Sequence, residues 1–345
     1  MKIALDAMGG DFAPRNPIAG AVEALRDFPD IEVVLVGDEA KVRAELGNHD
    51  VASLSGRIHF HHASQVVDMT DSGIDSVRKK KDSSVSRAVD LVKAGEAEAV
   101  VSAGHTGALV AAATIKLRTL PGIERAGLAV LIPAEQGTFL LIDGGANIDP
   151  TPEQIVGFAV MGTIYTRELL GIADPRVGLM NIGTEPGKGN EFSLRCHELL
   201  SRAPKIRFAG NVEGHGIFKK PVDVVVCDGF TGNILLKTIE GLAKSIFSWL
   251  KTELKSTPIR MFGAWLAKGA FLSIRNRTST DEYGGTPLLG VNGICIKAHG
   301  NSSARAMRNA IRAARAAVQQ QVNARIIEAI KPLHEDAPTP QGATT

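Results

Sequence analysis

Short runs of consecutive apolar residues constrain the fold of this chain more than any other feature. Segments such as "EVVLV" (32–36) and "DVVVC" (223–227) show no alternation of apolar and polar residues. Successive strand side chains point to opposite faces, so such a strand needs cover on both faces, as in a mostly parallel sheet. Ten segments read this way: "KIALDAM", "IEVVLVG", "RIHFHHA", "AEAVVSAG", "LAVLIPA", "TFLLIDG", "RVGLMNIG", "KIRFAGN", "VDVVVCDG" and "GICIKAHG". Helical patterns lie between several of them. "NPIAGAVEALRDF" offers Asn16 as an N-cap and Pro17 at the first helical position. "DSSVSRAVDLVKAG" ends in a glycine stop. The alternation predicts an α/β, doubly wound architecture. A long Ala- and Arg-rich helix is expected at about 302–330, and the tail "HEDAPTPQGATT" is expected to fray. With no internal repeat or linker, 1–335 is expected to form a single α/β domain. A helical hairpin is expected to protrude from it at about 240–277, and 336–345 to be a flexible tail.

Hydrophobic residues make up 44% of the 345, enough for a substantial core, so disorder is not expected. The net charge of +2 gives no electrostatic case for nucleic acid. Three cysteines without CxxC spacing argue against a disulfide framework or structural zinc, and fit a reducing compartment. An acid at position 6 in "MKIALDAMGG" argues against a signal peptide. No run reaches the roughly 20 apolar residues of a spanning helix.

Seven strands end in the same chemistry: "LDAMGGD", "VVSAGHTGA", "LLIDGGAN", "MNIGTEPGKGN", "RFAGNVEG", "VVVCDGFTGN" and "IKAHGNSS". Each apolar run breaks into Gly, Asn, Asp, Ser or His. Carboxyl ends of parallel strands form the ligand crevice of open sheets, and glycines let backbone N–H groups approach an anion. Several helices start just beyond, adding the positive ends of their dipoles. Seven such loops at one sheet edge are therefore expected to form an anion site, with Lys188 as its cation. The loop is not a nucleotide P-loop: Gly183 to Gly187 is one residue short, and Gly189 stands where Ser or Thr would hold magnesium. GxGxxG after the first strand, GxSxG and HExxH are all absent. Cys227 reads as a buried strand residue rather than a nucleophile. Glu185 is either a base for phosphate or a solvated carboxylate. His299 either contacts substrate or caps a turn.

The motifs "DAMGGD", "SAGxTGA", "DGGAN", "NIGTExxKGN", "AGNVEG", "DVVVCDGFTGN" and "YGGTPLLGVNG…HGNS" resemble those of the bacterial phosphate acyltransferase (PlsX) family, from the first strand through the last long helix. The resemblance implies a fold similar to isocitrate and isopropylmalate dehydrogenases and to phosphotransacetylase. It implies transfer of an acyl group from acyl-acyl carrier protein to inorganic phosphate, giving acyl phosphate for phospholipid synthesis. It also implies a homodimer, peripheral association with the inner face of the cell membrane, and a cytoplasmic location. Lys188 and Asn233 match the family's catalytic pair. Substrate-binding candidates are Asp6, Gly9, Gly10 and Asp11 in the first loop, Gly104, His105 and Thr106 in the second, and Asp143 and Asn147 in the third. The other loops add Glu185, Gly189 and Asn190, then Asn211, then Asp228, and finally His299 with Ser302. His105 stands where the family usually has Asn; it either lines the crevice or makes one loop hydrogen bond.

Phosphate attacks a thioester readily and a thiolate leaves easily, so no covalent enzyme intermediate is required. The tasks left are binding, alignment and stabilisation of the oxyanion. No carboxylate cluster suggests a metal, and no cofactor is expected. An acyl-CoA-using phosphotransacetylase and a non-catalytic scaffold that recruits lipid enzymes remain as alternatives.

"TPIRMFGAWLAKGAFLSIRNR" (257–277) carries a different signal. Thr257 can cap a helix that Pro258 begins. At 100° per residue, Arg260, Lys268 and Arg275 fall on one side. Met261, Phe262, Trp265, Leu266 and Leu272 fall broadly on the other. From 254 to 280 there is no acid, whereas Lys255, Arg260, Lys268, Arg275 and Arg277 are basic. This is the pattern of a helix lying on anionic membrane, or of an apolar face packed at a dimer interface. A membrane site would place the reactive acyl phosphate near a membrane-bound acyltransferase that uses it.

Overall fold

The computed structural model describes residues 1–68, 70–278 and 284–335. The first half of the chain holds β1 (Lys2–Asp6), α1 (Arg15–Asp27), β2 (Glu32–Gly37), α2 (Glu39–Leu46), β3 (Ile58–His62), α3 (Gly73–Lys79), α4 (Ser84–Lys93), β4 (Ala99–Ser102) and α5 (Thr106–Lys116). Next come β5 (Gly127–Pro133), β6 (Thr138–Ile142), α6 (Pro152–Leu170), β7 (Arg176–Asn181), α7 (Glu191–Arg202), β8 (Arg207–Glu213) and β9 (Val224–Val226). The helices α8 (Gly229–Lys255), α9 (Pro258–Leu266) and α10 (Lys268–Thr278) follow. The last elements are β10 (Thr286–Leu289), β11 (Ile294–Lys297), α11 (Ala304–Gln319) and α12 (Val322–Glu335).

All ten expected strands form, and they join β10 in one eleven-stranded sheet of order β3-β2-β1-β4-β11-β10-β5-β6-β9-β7-β8. Helices cover both faces, so the apolar runs are buried on both sides. β1, β2, β4 and β11 pack against α1 and α11 on one face and against α4 and α5 on the other. In the second half α6 and α12 cover one face, and the start of α8 covers the other.

The sheet is mostly parallel, but three successive antiparallel pairings interrupt it, β11 with β10, β10 with β5 and β5 with β6. An odd number of reversals turns the strand direction around. The expectation of seven loops at one sheet edge is therefore corrected. The carboxyl ends of β1, β4 and β11 lie together, while β6, β9, β7 and β8 run the opposite way. β10 was missed in the sequence because four residues, "TPLL", flanked by glycines and including a proline, carry too little pattern.

Three local expectations change. Asn16 lies inside α1 rather than capping it, and its Nδ2 donates instead to the Ser302 carbonyl at 2.9 Å. The helix expected at 302–330 is two, α11 and α12, separated where Gln321 turns left-handed at φ 52°. The segment 257–277 is also two helices, α9 and α10, breaking at Ala267 between Gly263 and Gly269, both poor helix formers. Thr257 caps α9 as expected, its Oγ1 accepting the Arg260 N–H at 3.3 Å. The tail at 336–345 lies outside the described residues, as do the side chains of Arg275 and Arg277.

Candidate active site

Register aligns the carboxyl ends of three neighbouring parallel strands. Asp6 of β1 pairs with Ser102 of β4, and Ser102 pairs with Lys297 of β11. Thr286 of antiparallel β10 then pairs with Lys297. Ser102 Oγ donates to Asp6 Oδ2 at 2.6 Å, and the Met8 N–H reaches Oδ1 at 3.2 Å. Asp6 is wholly buried, and burial raises its carboxyl above the usual range despite these donors. Gly9 is needed here: a Cβ on it would lie 2.5 Å from Asp6 Oδ2 and 2.6 Å from the Gly104 nitrogen. The Asp11 N–H donates to the Gly300 carbonyl at 2.8 Å, so the loops after β1, β4 and β11 lock together, with Gly10 tucked against Gly300. Asp6, Gly9, Gly10, Asp11 and Gly104 thus form one interlocked cluster of loops at this edge, and none of them lines the cleft beside β10. Ser302, also buried, joins this cluster through its carbonyl on Asn16.

β10 pairs with β11 through Thr286 and Pro287 but with β5 through Leu288 and Leu289. Beside this stagger lies a cleft of about 940 Å3. One wall comes from Lys297, Ala298 and His299 after β11 and from Thr106 and Gly107 at the start of α5. The facing wall comes from 144–148 after β6 and from Phe230, Asn233 and Lys237 of α8. The cleft therefore joins the two oppositely directed halves of the sheet.

The facing wall is rigid for identifiable reasons. Asp143, fully buried, accepts the N–H groups of Leu128, Gly145, Ala146 and Asn147 at 2.6–3.2 Å. Burial still raises its carboxyl above the usual value. Asn147 Nδ2 bridges Asp143 Oδ2 at 2.9 Å and the Ala126 carbonyl at 2.7 Å. Asp228 caps α8, accepting both the N–H and the hydroxyl of Thr231 at 2.7 Å. Gly232 lets α8 sit on this loop, for a Cβ there would come within 1.9 Å of the Asp143 carbonyl oxygen. Asn233 then packs against Gly145. Asp143, Asn147 and Asp228 hold the wall, and Asn233 presents an amide to the cleft.

The other sequence candidates stand elsewhere. His105 caps α5, its Nδ1 accepting the Ala108 N–H at 3.1 Å; the ring is not part of the cleft lining, while Thr106 is. The loop 181–190 is exposed except at Gly183, and Lys188 stands on it outside the cleft lining. That loop is held by side-chain amides on its carbonyls: Asn181 Nδ2 donates to the Lys188 carbonyl, and Asn211 Nδ2 of β8 donates to the Glu185 carbonyl at 2.8 Å. Asn190 caps α7, and Gly189 packs against Ser193 beside it. Lys188 and Asn233 follow the adjacent parallel strands β7 and β9, so they share a sheet edge but not a contact. His299 borders the cleft, with its Nε2 3.7 Å from Glu240 Oε1. Cys227 is buried, as are Cys196 and Cys295, and burial pushes the thiols of the latter two up to about 12. Among the described residues no group of His, Cys, Asp or Glu is arranged to hold a metal.

Four basic residues that line the cleft, Arg78, Arg125, Lys237 and Lys297, escaped the sequence reading. Lys297 left a signal: it is a charge ending the apolar strand "ICIK", at a depth where charge is costly.

From the cleft wall outward, α8 runs 27 residues in all, roughly 40 Å at 1.5 Å per residue, and carries α9. No residue of α9 is buried, and Trp265 is 67% exposed, its ring stacked on Phe262 at 5.9 Å. Met261, Phe262, Leu266 and Leu272 are exposed as well. Met261, Trp265 and Leu272 also border a groove of about 910 Å3 between α8, α9 and α10. Arg260 turns back to Glu253 and Ser256. No helix among the described residues is long and apolar enough to cross a membrane.

The architecture is shared with solved α/β enzymes. A phosphotransacetylase from Streptococcus pyogenes superposes with a TM-score of 0.59 at 18% identity, covering 96% of this chain and 94% of that one. A 4-hydroxythreonine-4-phosphate dehydrogenase from Klebsiella pneumoniae gives 0.52 at 16%, covering 94% and 99%. These likenesses define the fold class. The family is defined by sequence: the profile of the fatty acid synthesis protein family matches residues 1–325. A phosphate acyltransferase from Akkermansia muciniphila is 51% identical over 335 residues, 95% of each chain. Another from Citrifermentans bemidjiense is 46% identical over 351 residues, 100% of this chain and 99% of that one. The chain belongs to this phosphate acyltransferase (PlsX) family and is an acyltransferase enzyme.

Proposed function

We propose that the enzyme transfers a fatty acyl group from acyl-acyl carrier protein to inorganic phosphate, and that phosphate attacks the thioester directly. The observation that carries this reading is the composition of the cleft. It combines the amines of Lys237 and Lys297 and the Asn233 amide with apolar walls from Val110, Leu128 and Ile148, while all three thiols are buried away from it. The reaction is RC(O)–S–carrier + HPO4 2− → RC(O)–OPO3 2− + HS–carrier. Asn233 donates to the carbonyl oxygen as it becomes an oxyanion, a contact typically worth about 2.7–4 kcal/mol in the transition state. Lys188, on the neighbouring loop, supplies a cation to phosphate from the same sheet edge. The test compares thiol release from acyl carrier protein and from acyl-CoA, each with and without phosphate. Release from the carrier only when phosphate is present supports the reading; release from acyl-CoA alone points to a phosphotransacetylase.

The assembly reading rests on the exposed surfaces of α8 and α9, the first of which begins at the cleft with Phe230. Phe230, Ile234, Leu242, Ile246 and Trp249 leave an exposed apolar stripe along α8, suited to a second copy of the chain. The exposed rings of α9, close to Lys255 and Lys268, suit an anionic membrane, where a membrane-bound acyltransferase would consume the acyl phosphate. Trp265→Glu with Leu266→Glu should abolish sedimentation with anionic vesicles while activity and dimer mass persist. A double variant that falls to monomers, or still binds vesicles, would reassign α9 to the subunit interface.

A further inference from the structure

Lys297 presents a physical problem. It is 8% exposed, yet among the described residues no carboxylate lies within ion-pair distance of its ammonium. Its one hydrogen bond runs to the carbonyl of its neighbour Ala298. An ammonium has three donors, so two N–H groups remain, and the side chain borders the cleft. Burying a charge this incompletely satisfied is costly unless something else occupies the site.

Its surroundings fix the balance of protonation. Burial lowers the ammonium to about 8, and Lys237 on α8 acts in the same direction. Asp6 and Asp11 after β1, and Cys295 on its own strand, oppose the shift. His299 borders the cleft, and Glu240, 3.7 Å from its ring, borders the neighbouring groove. At neutral pH the ammonium form predominates, but its proton is far more readily given up than that of an ordinary lysine. An alkyl thiol dissociates near ~8.5, so the two groups are closely matched.

We propose that Lys297 is the general acid that protonates the departing carrier thiolate. This inference rests on the phosphate acyltransfer reading above. Hydrogen phosphate bonds to the carbonyl carbon and the C–S bond breaks. The Lys297 ammonium gives one proton to sulfur, leaving HS–carrier and a neutral amine. The acyl phosphate, more acidic than hydrogen phosphate, releases the remaining phosphate proton to that amine. The ammonium is restored, and no other co-reactant is consumed.

The experiment uses two thioesters of the same fatty acid with phosphate as acceptor. One has the alkyl thiol N-acetylcysteamine as leaving group and the other has thiophenol, whose weakly basic thiolate needs no acid. Lys297→Met should lower kcat for the alkyl thioester by about a hundredfold or more, and for the aryl thioester by less than tenfold. Equal losses on both substrates, or a raised phosphate KM with kcat unchanged, would overturn the assignment in favour of a phosphate-holding cation. If Lys297→Met does not fold, the wild-type enzyme carries the test. Its alkyl-thioester kcat should fall as pH rises through about 8 while its aryl-thioester kcat does not. Parallel pH profiles would refute the proposal. Wild-type enzyme that releases no thiol from acyl-acyl carrier protein with phosphate would instead refute the acyltransfer reading itself.

Discussion

Gly232→Ala tests whether the contact between α8 and the Asp143 loop positions Asn233. The added Cβ would lie 1.9 Å from the Asp143 carbonyl oxygen and 3.1 Å from Cys227 Sγ. Relief to an ordinary contact needs more than an ångström of movement. The Asp143 loop cannot yield, since its carboxylate is held by four backbone N–H groups. The start of α8 must move instead, straining the Gly229 N–H bond to the Asn147 carbonyl at 2.7 Å. Overpacking costs about 1–3 kcal/mol and a weakened hydrogen bond about 0.5–1.5 kcal/mol. Alanine's helix propensity returns about 1 kcal/mol. The net expectation is a loss of about 1–3 kcal/mol in urea unfolding. Asn233 is the next residue, and misplacement of a reacting group by about 1 Å costs roughly a hundredfold in rate, so kcat should fall by about that factor. Gly241→Ala is the control: it lies in the same helix where a Cβ meets nothing within 4 Å. It should leave kcat unchanged and stabilise by up to about 1 kcal/mol. A Gly232→Ala enzyme with wild-type stability and kcat would refute the positioning argument.

Lys188→Ala should raise the phosphate KM and lower the rate, whereas Asn233→Ala should mainly lower kcat, by roughly a hundredfold or more. Both should melt near wild type because neither side chain is buried, and full activity of Lys188→Ala at low phosphate would remove that lysine from the site. His105→Asn should preserve stability and phosphate KM, because Asn is an equally good N-cap; His105→Ala should cost about 1 kcal/mol in unfolding. A raised phosphate KM in His105→Asn would place the ring in the phosphate site after all.

The strands were legible because burial on both faces leaves a composition signature, and all ten expected runs are strands. Their direction was not legible. Reversal depends on β10, four residues that return from α10 to lie between β11 and β5, and no local pattern encodes that insertion. The loops were legible as loops, but not which of them meet, because the set divides between two opposite strand directions. Asp143, Asn147 and Asp228 look like ligand residues in sequence because the Asp and Asn that bind an anion's surroundings are also the ones that cap helices and collect backbone N–H groups. Their hydrogen bonds here are to the protein itself. Lys297 shows the converse: it stands in the stretch "IKAHGNSS" but reads there as the end of the strand, and it is strand register that places it at the cleft. Thr257 and Pro258 announced the start of α9, while the break at Ala267 had only two neighbouring glycines to mark it.

Intact-protein mass spectrometry tests direct attack by phosphate most plainly. The enzyme is mixed with saturating acyl-acyl carrier protein, first without phosphate and then with it, and its mass is recorded during turnover. Direct attack predicts an unmodified enzyme mass in both samples, with carrier thiol and acyl phosphate formed only in the second. An enzyme species heavier by one acyl group, formed without phosphate and discharged when phosphate is added, would contradict the account.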